Sequence, residues 1–270
     1  AHRGSPRYGD VRLFTESVLL FALDAQSGRL LWQYKPRHSI RNNAIAIAGG
    51  RIYLIDRPLA LQDRIDSPTP NGKHRPRLAA GEQPGGTLLA LDAQTGTIQW
   101  QQDEDIFGTQ LGMSVEHGVI VMYYQAVRHN FFRLPSEVGG RMAAFVAATG
   151  ERLWDQPAEY TTRPILNGQR IIAEGGCWEL KTGKPLPLRI ERSYGCGQFS
   201  AGANLVLFRS ATLGYHDLSR DAGTENFGGM RPGCWFNAIA AGGLVLVPDA
   251  SAKCACSYPM QAWFALQGAD

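Results

Sequence analysis

The chain has 270 residues, 44% of them hydrophobic and 19% charged, with a formal net charge of +3. That length and apolar content suffice for one large core or two modest ones and exclude a disordered chain. The small net charge forms no basic stripe with interleaved aromatics, and no run of about 18 apolar residues occurs, so neither nucleic-acid binding nor a membrane span is expected.

Residues Ala1 to Gly9 are polar and basic, and no signal peptide is visible. Val11 to Leu23 reads as one or two strands. Phe21 to Trp32 then reads as a hairpin: an apolar strand, a turn over Asp24 to Gly28, and an outgoing strand ending in tryptophan. Asp caps its own backbone in such a turn, and Gly accepts a positive φ without a Cβ clash. The same hairpin recurs as Leu89-Ala90-Leu91-Asp92-Ala93-Gln94-Thr95-Gly96-Thr97-Ile98-Gln99-Trp100. A third copy, Ala144 to Trp154, keeps the glycine and the tryptophan but places Val146 where Asp stood, and Trp178 to Lys184 is a worn fourth.

Between the copies, Ala44 to Ala48 is a small-residue strand and Arg51 to Asp56 an alternating one. Arg57 to Gly86, rich in Pro, Gly and charge, reads as an insertion, and Gln125 to Gly139 as a shorter one containing Arg128, His129 and Phe131-Phe132. Strands are expected at Thr109 to Val115, Val119 to Tyr124, Arg141 to Val146, Arg163 to Leu166, Arg170 to Ala173 and Trp178 to Leu180. The last third adds Gly195 to Ala201, Leu205 to Arg209, Leu213 to Leu218, Trp235 to Ala240, Leu244 to Val247 and Ala262 to Leu266. No amphipathic helix stands out. Four-strand modules of about 40 residues repeated in this way make an all-β chain, a β-propeller of four-stranded blades. Six blades are expected within a single domain spanning 1–270, or seven or eight if residues are missing upstream. Trp32, Trp100 and Trp154 are expected to wedge between adjacent sheets.

The five cysteines stand at 177, 196, 234, 254 and 256. Cys254 and Cys256 would share one face of a strand, a poor geometry for bonding each other. Cys196 and Cys234 each follow a glycine near the start of an inner strand. Two disulfides linking Cys196 and Cys234 to the Cys-x-Cys pair are expected, in an oxidising compartment and with the pairing open, leaving Cys177 buried and free. A four-thiolate metal site is the alternative, disfavoured because Cys-x-Cys is a poor chelating knuckle. The starts of the inner strands carry a second constellation: His38, Arg41, Arg163, Arg209 and Arg231. If these line one axial mouth they would focus positive potential on a carboxylate, a phosphate or an acidic peptide, although each arginine could equally pair with a local carboxylate or carbonyl. No Ser/His/Asp order or phosphate-cradling loop is evident.

The motif Ala-Leu-Asp-Ala-x-Thr-Gly-x-x-x-Trp resembles the repeat of PQQ-like (pyrroloquinoline-quinone dehydrogenase type) β-propellers over roughly Phe21 to Lys184. The stretches Tyr194-Gly195-Cys196-Gly197, Arg231-Pro232-Gly233-Cys234-Trp235 and Cys254-Ala255-Cys256-Ser257-Tyr258 resemble one bacterial subgroup of these proteins. The quinone enzymes use a vicinal Cys-Cys disulfide, a stacking Trp and a Ca²⁺ held by Glu, Asn and Asp. This chain has no adjacent cysteines and no set that carries over residue by residue. The resemblance therefore implies a non-catalytic binding or scaffolding module, periplasmic or secreted, with no cofactor and with a protein or a small anion as partner. The alternative it implies is a quinone- or metal-dependent oxidoreductase using the axial mouth.

Overall fold

The computed structural model describes residues 16–58, 84–126, 139–220, 222–233, 237–249, 257–258 and 260–268, and the regular elements among them are strands. Cys234, Cys254, Cys256, Arg128, His129 and Phe131-Phe132 lie outside the described residues. The chain divides into two compact units, one of residues 1–159 with 181–183 and the other of 160–180 with 184–270.

The first unit holds β1 (Glu16–Ser17), β2 (Leu20–Leu23), β3 (Leu30–Tyr34), β4 (Ile40–Ala48), β5 (Arg51–Asp56), β6 (Gly86–Asp92), β7 (Ile98–Ile106), β8 (Gln110–Ser114), β9 (Val119–Tyr123), β10 (Arg141–Val146) and β11 (Arg152–Pro157). β2 and β3 form a two-stranded hairpin. β4 to β7 make an antiparallel sheet with β1 added outside β4, and β8 to β11 make a second sheet. The central strands show why the sheets stack. In β5, Ile52 and Leu54 pack with Trp32 and Leu89 on one face, whereas Tyr53 and Ile55 pack with Leu88, Ile120 and Phe145 on the other. Alternate side chains point to opposite faces, so a strand covered on both sides must be apolar where it is covered, as β9 and the Ile52–Ile55 core of β5 are. Each such Leu or Ile, fully buried, contributes about 1.5–3 kcal/mol.

The second unit holds β12 (Ile165–Asn167), β13 (Arg170–Ala173), β14 (Gly176–Glu179), β15 (Pro185–Leu186), β16 (Ser200–Ala201), β17 (Leu205–Ser210), β18 (Thr212–Asp217), β19 (Thr224–Phe227), β20 (Ile239–Ala241), β21 (Leu244–Val247) and β22 (Phe264–Gln267). These make two four-stranded sheets and a closing three-stranded one. β17 repeats the two-sided burial: Val206 and Phe208 pack with Ile172 and Phe199, and Leu207 with Leu213 and Val247. Successive antiparallel four-stranded sheets, each strand pairing with the next, make the chain a β-propeller of four-stranded blades.

The repeated hairpins are the joints of the first unit. Asp92 accepts the backbone N–H of Gln94 and Thr95 at 2.9 and 2.8 Å and the Thr95 hydroxyl at 3.0 Å. Gly96 closes the turn with φ +73°. Ala93, inside that turn, donates its N–H to Gly50 of its own sheet and accepts the indole N–H of Trp32 from the preceding hairpin at 3.0 Å. Trp100 repeats this on Ala147 at 3.1 Å. The indoles lie on the turn glycines: a Cβ built on Gly96 would sit 2.6 Å from the Trp32 ring, one on Gly150 2.6 Å from Trp100, and one on Gly183 2.8 Å from Trp154. The wedging role expected of the three tryptophans is thus met, with the repeat glycine as the seat.

Some elements differ from the sequence expectation. β4 begins at Ile40 rather than Ala44, because Arg41 to Ala44 form a bulge: Ile40 pairs with Asp56, and pairing resumes only at Ile45 with Leu54. Of the strand expected over Gly195 to Ala201, only Ser200–Ala201 is extended and paired, and β15 and β19 were not anticipated.

Candidate functional site

The polar groups cluster where the first strand of a sheet begins and its second strand ends. One backbone stitch recurs there. Arg57 N–H donates to the Ser39 carbonyl, Thr109 to Tyr123, Thr161 to Glu174 and Ala211 to Tyr194. Side chains are added to this stitch differently in each unit.

In the first unit, the Asp56 carboxylate accepts backbone N–H groups from Arg37, His38 and Ser39 at 2.6, 2.9 and 3.0 Å, so the end of β5 ties down the loop entering β4. Burial, and then the Asp56 charge, push the Tyr34 phenol up to about 12. The Ser39 hydroxyl donates to the Arg57 carbonyl at 2.8 Å and accepts from Arg41 Nη2 at 2.8 Å. Arg41, 1% exposed, gives the same nitrogen to Glu16 Oε2 at 2.7 Å. Arg57 is equally buried; its Nε donates to the Pro84 carbonyl at 2.7 Å and its guanidinium lies 6.0 Å from the Tyr124 ring centre. His38 is exposed.

A second charge cluster ties β7 to β10 and β11. Arg141 grips Asp155 through Nε and Nη2 at 2.7 and 2.6 Å, reaches Asp105 with Nη1 at 3.2 Å, and stacks 4.2 Å above Phe107. Hydrogen bonding from Arg141 holds the Asp105 carboxyl below its ordinary range. Asp105 takes φ +53°, a left-handed conformation that Asp tolerates better than most residues.

In the second unit, Arg192 has a fully buried side chain and meets both oxygens of Glu174, at 3.1 and 2.9 Å, together with the carbonyls of Cys196 and Gly197. The Thr161 hydroxyl donates to the same carboxylate at 2.8 Å. Arg209, 1% exposed, lies 5.1 Å above the Tyr194 ring. Arg231, also buried, donates Nε to the Ser257 carbonyl at 2.8 Å. Arg163 is exposed, with its backbone N–H on Gln198. Cys177 is buried and its thiol is pushed up to about 11 by that burial, so it stays protonated and inert.

Of the sequence-derived set, Arg41, Arg209 and Arg231 are therefore buried and His38 and Arg163 exposed. Arg41 and His38 belong to the first unit, and Arg163, Arg209 and Arg231 to the second. Sequence reasoning missed Asp56, Glu174, Arg57 and Arg192. The available signal was positional: Asp56 and Glu174 each directly follow the apolar run of a second strand.

Among the described residues no donor set fits the quinone and Ca²⁺ of the oxidoreductase alternative. A hard divalent cation needs several converging oxygens. Among the described residues no three of His, Cys, Asp and Glu converge, and the carboxylates at the strand ends are engaged by guanidinium or backbone N–H groups. An open cleft of about 470 Å³ beside β19 to β22 is lined by Gly202, Ala240, Gly242, Leu244 and Leu266, which offer shape but no reactive group.

The family profile described as "Outer membrane protein assembly factor BamB" matches residues 2–217. No curated protein sequence matches significantly. Among solved structures, BamB from Moraxella catarrhalis superposes with a TM-score of 0.52 at 14% identity, over 87% of this chain and 63% of its own. The chain thus spans less than two thirds of that protein's length. The computationally designed Ika4 protein matches at 0.41 and 13% identity, over 67% of this chain and 92% of that one. A europium-containing methanol dehydrogenase also matches at 0.41 and 13% identity, over 90% and 49%.

Proposed function

This chain belongs to the family of the outer membrane protein assembly factor BamB, and from that premise we propose that it is a non-catalytic PQQ-like propeller serving outside the cytoplasm as a binding or scaffolding module for a protein partner. The observation that supports the reading most directly is how its paired charges are used. Glu16 on Arg41, Glu174 on Arg192, and Asp105 with Asp155 on Arg141 are ion pairs that hold loops and sheets together. Catalysis needs groups with unspent reactivity, and a scaffold needs rigid loop ends.

In this reading residues 1–270 form one propeller domain with insertions at 57–86 and 125–139. Its last third belongs to the subgroup with the Gly-Cys and Cys-x-Cys pattern. The setting is periplasmic or secreted, which suits a chain stapled by disulfides. Chemical cross-linking of the full chain in a bacterial envelope fraction, read by mass spectrometry, is expected to recover an outer-membrane assembly protein. Reconstitution with PQQ and Ca²⁺ followed by a dye-reduction screen over alcohols and sugars tests the oxidoreductase alternative. Cofactor-dependent turnover there would overturn the scaffold reading.

A second reading, carried by the sequence-derived set His38, Arg41, Arg163, Arg209 and Arg231, is capture of a small anion, by His38 and Arg41 within the first unit or by Arg163, Arg209 and Arg231 within the second. A thermal-shift panel of carboxylates and phosphates, repeated on Arg231→Ala, tests it. A flat response in both proteins removes it.

A further inference from the structure

Four sheets begin with β4, β8, β12 and β16. The last three strands form the edges of their sheets, whereas β4 carries β1 outside it, antiparallel, with Glu16 opposite Arg41 and Ser17 opposite Ile40. We propose that this edge of β4 is a recognition edge for an extended peptide bearing a carboxylate, and that residues 16–17 are its tethered occupant. The proposal rests on the binding-module reading and names the partner's chemistry.

Three observations carry it. The bulge between Ile40 and Ile45 interrupts the pairing of Arg41 to Ala44 with β5, and Arg41 at its start lies opposite Glu16 of the added strand. Asn42 accepts the Ser17 hydroxyl at 2.8 Å. With β1 in place the Arg41 side chain is 2% exposed, and Ser39 braces its guanidinium from β4's own side, so one of its contacts does not depend on the added strand. A desolvated guanidinium facing an apolar or cationic residue is heavily penalised, so the strand opposite must bring Glu or Asp at one register position. Backbone pairing then supplies affinity and that position supplies selectivity, as in strand addition generally.

β1 suits a displaceable occupant. It is two residues long, and the Glu16 side chain remains 27% exposed. So short a strand opens far more readily than the sheet behind it. Its tether nevertheless gives it a high effective concentration, against which a free peptide competes poorly.

The test uses the full chain and a fluorescein-labelled peptide with the sequence of residues 12–19, read by anisotropy. In the Glu16→Lys protein, Arg41 repels the built-in strand, and this protein is expected to bind the peptide at least tenfold more tightly than the wild type. A peptide carrying the same Glu16→Lys change is expected to bind it at least tenfold more weakly than the native peptide. Ser17→Pro, which blocks strand pairing at the next residue, provides a second way to lift the occupant should the first variant fold poorly. Equal affinity of wild-type and lifted proteins, or indifference to the charge of the peptide, overturns the proposal. Neither result touches the envelope cross-linking outcome, so failure of this edge and failure of the module reading are separable.

Discussion

Gly96 is held to glycine by two independent constraints, and substitutions can separate them. Its φ of +73° disfavours any Cβ, and the Trp32 ring occupies the space that a Cβ would need. Gly28 shares the first constraint, with φ +69°, and has open space around it. Gly28→Ala should cost about 1 kcal/mol, the penalty of left-handed backbone alone. Gly96→Ala should cost a further 1–3 kcal/mol, roughly the range for overpacking a tight site. Urea midpoints of the two variants measure the difference, and equal values would mean that the indole yields freely. Cys177 makes a second residue-level prediction. With its thiol pushed up to about 11, it should resist iodoacetamide at pH 8 in the folded chain and react once denatured, as followed by mass spectrometry.

Arg141 joins three strands, and its effect on stability should depend on pH. Asp105 is held below its ordinary 3.8 chiefly by the hydrogen bond from Arg141. A depressed carboxyl contributes stability that is full above the unfolded value and is lost as pH falls through the folded one. Denaturation midpoints of wild type should therefore fall as the pH drops below about 4, and Arg141→Met should flatten that slope while lowering stability at neutral pH. The loss will be modest because the Asp105 side chain is 51% exposed and solvent screens the pair. In the second unit, the Ser219 hydroxyl and then Arg220 hold Asp217 down to about 2. Ser219→Ala should move its carboxyl titration upward, which NMR reads directly.

Elements with a physical reason to be apolar were the ones legible in the sequence. β9 stood out because burial on two faces demands unbroken hydrophobicity, β5 because it reads as an alternating strand, and the repeat hairpins because their turns demand Asp and Gly. The start of β4 was hidden because a bulge tolerates Arg41-Asn42-Asn43, which reads like a loop. β15 is only Pro185–Leu186 and β19 is mostly polar, and pairing to a neighbour, rather than any local pattern, makes them strands. Arg41 was visible by position but its carboxylate partner was not, since Glu16 lies 25 residues away, and neither Arg192 nor Glu174, 18 residues apart, stood out.

The whole chain adds a constraint that no single sheet reveals. The extracytoplasmic setting proposed above predicts that the late cysteines are held as disulfides. Mass spectrometry without reductant is expected to find Cys196 and Cys234 bridged to Cys254 and Cys256, and five titratable thiols would contradict the compartment. In the first unit the indole contacts run in one direction only. Trp32 reaches Gly96, Trp100 reaches Gly150 and Trp154 reaches Gly183, each toward the later turn. A copied segment of this kind therefore carries both plug and socket. Tandem duplication within the gene would lengthen such a protein without requiring any new fitting at the junction, a route by which relatives of unequal length can arise from one ancestral brick.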